Sequence, residues 1–226
     1  MKKIILLSIL FIFISSCRNN NIINPPSDNY PVHKNITSTY FWIGEPADSD
    51  NGYIPNSENS WDINWMAHYG GVDNPNNRNG YFPAGFTPKE NPFYFALPYN
   101  DFDESGKRRQ SAYDMIYWAK DKSWSPYESM CKNKWIKITK GRKYVYAQWE
   151  DCGPFFYDDS NYIFSTSQPR NQSLNNSSGL DVSPAVWDYL GLSGLDTVQW
   201  QFINPENVPI GTCNIIVTSS QIDWGQ

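Results

Sequence analysis

The chain has 226 residues, with 23 acidic against 18 basic side chains, a formal net charge of −5 and a mean hydropathy of −0.59. An acidic chain with scattered lysines has no electrostatic footprint for nucleic acid, which excludes that class of partner. The 10 Trp, 15 Tyr and 12 Phe lie in short runs punctuated by 14 Gly and 16 Pro, the pattern of an all-β barrel or sandwich.

Residues 1–16, MKKIILLSILFIFISS, combine a cationic start with an apolar run too short for a comfortable bilayer span, as in a secretory signal. Ile14-Ser15-Ser16-Cys17 resembles a bacterial lipobox, which implies cleavage before Cys17, lipidation of that cysteine and a place in the bacterial cell envelope. Arg18 follows in place of the aspartate that retains many lipoproteins in the inner membrane, so the outer membrane is favoured in a diderm cell. Residues 17–35 are rich in Asn and Pro without periodic apolar positions, and are expected to form a flexible tether. Residues 36–226 are enough for one well-buried domain and short for two.

Within that domain, residues 37–44 read as a first strand ended by Gly44 and the Glu45-Pro46 step. Trp61, Trp65 and Tyr69 recur at helical spacing, so a short one-faced helix either packs this face on the barrel or offers it to a ligand. His68 lies there and His33 in the tether; no histidine or cysteine cluster has metal-ligand spacing, and neither metal nor cofactor is expected. Residues 92–101 are a short apolar segment ending in Asn100-Asp101, where Asp101 stabilises its own loop or joins a groove. Residues 102–130 are charged and carry a plausible helix at 112–120.

The next hairpin has a checkable register. Alternation over 135–139, a turn at 140–143 and a return from Tyr144 place Cys131 opposite Cys152 if pairing is symmetric. Export would permit a disulfide between them, leaving Cys213 single and buried. The returning strand alternates Tyr144, Tyr146 and Gln148 with Val145, Ala147 and Trp149, then delivers Glu150 and Asp151 into Cys152-Gly153-Pro154, which cannot continue a regular central strand. After a polar loop, Gly179-Leu180-Asp181-Val182 leads to Ser183 as N-cap and Pro184 at the first helical position, with Gly191 closing the helix. Residues 196–202, Ile210 and residues 215–218 are expected to supply closing strands, with a turn at Val208-Pro209.

A strand ending in Asp, then Gly-Pro-Phe, a loop, Leu-Asp-Val-Ser, a short helix, Leu-Gly and Val198-Gln199-Trp200-Gln201-Phe202 resembles the double-psi β-barrel of rare-lipoprotein-A-like proteins, expansins and family-45 endoglucanases. The likeness covers roughly residues 37–217 and is densest after Cys131. It implies a six-stranded double-psi β-barrel with helical insertions, and a glycan groove holding Asp151 and Asp181. Thr39, Tyr40, Trp61, Asp101 and Trp149 are the further candidates for contact with sugar. Family-45 endoglucanases carry a catalytic aspartate near the first strand, where this chain offers only Glu45.

Two functions follow from the resemblance. One is cleavage of peptidoglycan or a related polysaccharide, as in lytic transglycosylases, where one aspartate serves as general acid; hydrolysis needs a second carboxylate to activate water. The other is glycan binding or wall loosening without catalysis, favoured by the missing first-strand aspartate and the surplus of aromatics. A structural envelope protein is a third alternative. In each case the chain is expected to be a monomer whose only membrane attachment is its lipid.

Overall fold

The computed structural model describes residues 29–49, 51–170 and 175–225. The segments expected to be a signal and a lipobox, with Cys17, and most of the expected tether lie outside them. The strands are β1 (His33–Tyr40), β2 (Arg78–Asn79), β3 (Phe82–Pro83), β4 (Tyr94–Leu97), β5 (Trp135–Lys140), β6 (Lys143–Cys152), β7 (Ser178–Val182) and β8 (Thr197–Ile203). Short helices α1 (Trp65–Tyr69), α2 (Gln110–Met115), α3 (Ser160–Ile163) and α4 (Pro184–Leu190) lie between them.

Six strands close into a mixed barrel in the order β1-β7-β4-β6-β5-β8, while β2 and β3 form a separate small hairpin. β1 runs parallel to β7 and β4 parallel to β6; the remaining barrel pairs are antiparallel. Closure satisfies the backbone groups that an open sheet leaves at its edges. The alternation in β8 buries Val198, Trp200 and Phe202, and these rings pack with Trp149, Phe164 and Trp118 inside a largely aromatic core.

The chain departs from the sequence expectations at several places, each with a local cause. Tyr30 packs on Tyr117 and Phe202, and His33 opens β1 stacked on Trp200, so residues ahead of 36 take part in the packed domain. The period-2 pattern of β6 is not one wet and one dry face: residues 145–150 are all buried. The C-terminal segment covers its second face, where Gln148 exchanges hydrogen bonds with the Thr218 backbone and accepts one from Asn91. That segment is no strand; residues 212–214 form a 3₁₀ turn and Ile210 is exposed. α1 covers only the second half of the Trp61-Trp65-Tyr69 run, although all three rings are buried.

The hairpin register is as expected, with Trp135 opposite Gln148 and Lys140 opposite Lys143. The disulfide is not formed: Cys131 and Cys152 are free, buried thiols, and Cys213 is buried as well. Cys131 leaves the ladder in a turn that the left-handed Asn133 closes, its N–H donating to Trp149 O (2.9 Å). Cys152 instead pairs with Leu97 of β4, and its Sγ donates to Tyr99 O (3.1 Å).

Candidate functional site

The site is built from one transverse row of the barrel. Thr39 of β1 is the register partner of Asp181 of β7, Asp181 of Ala96 in β4, and Ala96 of Asp151 in β6. Residues side by side in a row present their side chains to the same face of a sheet. Here that face is a groove of about 750 Å³, which all four residues line. Two acids therefore stand one strand apart, about 10 Å between backbones, with only the Ala96 methyl between them.

Two irregularities set this alignment. The β4–β6 register shifts between Phe95 and Ala96, because Phe95 faces Trp149 and Ala96 faces Asp151. The extra residue is Glu150, which turns inward to a buried ion pair with Lys132 (2.6 Å) while Asp151 reaches the groove. In β7 the shift falls at Gly179, where a Cβ would lie 2.4 Å from Pro169 Cγ and 2.9 Å from the Tyr162 hydroxyl. Glycine alone admits this approach.

Burial dominates the electrostatics of the row. It raises the Asp181 carboxyl to about 7, with the hydrogen bond from Thr39 Oγ1 opposing the rise and the charge of Asp151 adding to it. Burial likewise raises Asp151 to about 6, against hydrogen bonds from the N–H groups of Ser60 (2.9 Å) and Cys152 (2.7 Å). A third carboxyl completes the floor. Glu45, just past the left-handed Gly44, lines the groove, and burial takes it to about 7 despite the hydrogen bond from Asn56 Nδ2 (2.7 Å). An acid held near neutrality can donate a proton and take one back.

Aromatic side chains line the groove together with these acids. Tyr40, Trp42 and Trp187 form a cluster with Tyr40 5.5 Å from Trp42 and 5.2 Å from Trp187, and all three line the groove. Phe155 and Tyr157, each 42% exposed, follow Cys152 and also line the groove. Such faces suit the apolar faces of sugar rings.

The structure thus brings Thr39, Tyr40, Asp151 and Asp181 together in the groove lining and buries the other three candidates away from it. Trp149 is wholly buried and supports the floor from behind, its Nε1 donating to Asp151 O (2.8 Å). Trp61, also wholly buried, packs edge-on against Trp149 and donates to Asn100 Oδ1 (3.1 Å). Asp101 is 0% exposed and pins residues 102–130 to the barrel, accepting from Arg108 Nη1 (2.6 Å), Ser129 Oγ (2.6 Å) and Met130 N (2.7 Å). Sequence reasoning did not place Trp42 and Trp187 in the site, because nothing local relates two tryptophans so far apart.

A second polar cluster joins the C-terminal segment to α1. Asp62, His68 and Asp223 bring their donor atoms within 4.8 Å of one another, a closeness that histidine spacing in the sequence did not suggest. His68 Nδ1 and Asp62 Oδ2 lie 2.7 Å apart, and this bond raises the imidazole above its ordinary value. The cluster acts as a clasp beside the Asp62–Asp223 bridge. Among the described residues no helix is long and apolar enough to cross a membrane. No family model and no curated protein matches the chain.

Proposed function

We propose that the barrel groove binds a polysaccharide of the bacterial envelope, peptidoglycan or a related glycan, and cleaves its glycosidic bond with Asp181 as general acid. The observation that carries this reading is the row Thr39-Asp181-Ala96-Asp151, which sets two acids one strand apart in a groove that aromatic residues also line. The mixed barrel, with its two parallel pairs, supports the likeness to the double-psi barrels of rare-lipoprotein-A-like proteins and expansins. The lipobox-like Ile14-Ser15-Ser16-Cys17 supports an envelope address through a lipid on Cys17.

In this mechanism Asp181 gives its proton to the glycosidic oxygen as the bond to the anomeric carbon breaks. The developing positive charge at that carbon is then met by the sugar's own hydroxyl, whose proton returns to Asp181. Thr39 Oγ1 orients the acid throughout. Asp151, ionised over more of the pH range, stabilises the positive charge; in a hydrolytic version it would activate water, for which an acid pair needs about 6.5 to 9.5 Å between carboxyl groups.

A second reading, binding without cleavage, is favoured by the exposed Phe155 and Tyr157 at the rim, which suit holding a chain more than reacting with it. Incubation with purified sacculi followed by mass spectrometry separates the readings. Anhydro-muramyl ends are expected; reducing ends would indicate hydrolysis, and intact glycan that co-sediments with the protein would indicate binding alone. Asp181→Asn should abolish any cleavage while leaving the fold intact. Persistence of wild-type cleavage in that variant would overturn the acid assignment.

A further inference from the structure

Resting on the assignment of Asp181 as the acid, we infer that its two carboxyl oxygens have separate tasks. Oδ1 is the anchored atom, Oδ2 gives the proton, and the bare Cα of Gly153 keeps the place beside Oδ2 open for the glycosidic oxygen. Thr39 Oγ1 donates to Oδ1 and stands 2.7 Å from Ser178 Oγ, so a pair of hydroxyls from β1 and the start of β7 holds that side of the carboxyl. Oδ2 lies against Gly153. A Cβ built on that glycine would come 3.5 Å from Oδ2 and, its chain neighbours aside, within 4 Å of no other atom. Gly153 lines the groove, so such a methyl would stand in the groove, against the acid.

Neither backbone nor packing accounts for a glycine at this position. Its φ is not among the positive values that favour glycine, in contrast to Gly44 and Gly191. No neighbour crowds it, in contrast to Gly179, where a Cβ would meet Pro169 Cγ at 2.4 Å. Its N–H donates to Leu97 O (3.0 Å), which any residue but proline could do. A glycine where alanine would fit costs conformational entropy on folding; what it leaves is space beside one carboxyl oxygen. That space suits the reaction, because a general acid must come within about 2.6 to 3.2 Å of the oxygen it protonates. The proton leaves Oδ2 as the glycosidic oxygen parts from the anomeric carbon. The proton of the attacking sugar hydroxyl returns to the same Oδ2, so one open atom serves both half-steps while Oδ1 stays fixed to Thr39.

The test compares the full wild-type chain with Gly153→Ala and Ser178→Ala on soluble glycan strands of peptidoglycan. Gly153→Ala should melt no lower than wild type, keep its KM and lose turnover about 100-fold, the scale set by a displacement of roughly 1 Å at a reacting atom. Ser178→Ala should leave the approach open and move the alkaline limb of the turnover profile to higher pH, because a hydrogen bond that favours the ionised acid is lost. Wild-type turnover in Gly153→Ala, a loss confined to KM, or a loss matched by a fall in melting temperature would overturn the role of Gly153 and leave Asp181 as the acid. An alkaline limb unmoved in Ser178→Ala would overturn the anchoring of Oδ1. Strands left uncut by the wild type would overturn the acid assignment and this inference together.

Discussion

Asp181, Glu45 and Asp151 each hold a proton more tightly in the folded chain than an exposed carboxyl does, because burial disfavours their charged forms. Between about pH 4, where the unfolded groups ionise, and about pH 7, where the folded ones follow, the folded state binds the excess of protons. The sign is then fixed: stability contributed by these groups is present below that window and is lost as pH rises through it. Asp181→Asn should flatten the fall in stability between pH 4 and 7, by on the order of 1 to 4 kcal/mol at the upper end, followed by thermal melts. Parallel melts of variant and wild type with the same pH slope would contradict the burial of this acid. Asp101 is the opposite case, a carboxyl whose partners are all structural. Removing it in Asp101→Ala leaves buried Arg108 without its counter-charge and the Met130 N–H without an acceptor, a loss of about 3 to 5 kcal/mol in chemical denaturation. Glycan affinity of the protein that remains folded should not change.

The two bulges decide which residues reach the groove. At the first, Lys132→Met would strand Glu150 in the interior without a partner, and a cost of about 3 to 5 kcal/mol is expected in urea unfolding. At the second, Gly179→Ala should cost about 1 to 3 kcal/mol through the forced approach to Pro169 and Tyr162, measurable in the same way. Alternation along β6 shows that Glu150 and Asp151 point to opposite faces, and the Gly-Pro step shows where the strand ends. Neither shows which acid faces ligand, since that depends on a one-residue slip against β4, a strand 50 residues earlier in the chain. The hairpin of β5 and β6 was legible because its pairing is local and its turn short. The thiol pairing was not, because one left-handed residue, Asn133, takes Cys131 out of the ladder. Asp181 stood out through the Ser183-Pro184 helix start, whose capping geometry the structure bears out: Ser183 Oγ accepts from Val186 N. Trp61 and Trp149 show the limit of composition as a guide, since a ring beside a groove acid in sequence can be the wall behind it in space.

Across the whole molecule, the interior holds two largely aromatic clusters, and Cys131, Cys152 and Cys213 lie in the larger one. Thiol labelling of the native protein should be slow at the buried Cys131 and Cys152, and both should label in unreduced denaturant; protection of this pair that only a reductant removes would contradict free thiols there. The transverse row has a further consequence for the order of events in time. Its four members come from positions 39, 96, 151 and 181, on strands joined to their neighbours by long crossings, and β1 meets β7 only after most of the chain has been laid down. Non-local pairings of this kind form late and slowly, since the entropy of closing each long loop is lost before any contact compensates it. The groove is thus a reporter of completed topology. During refolding, tryptophan burial should begin with the β5–β6 hairpin, whereas ligand binding should return only in the last phase, as a single step and without partially competent species.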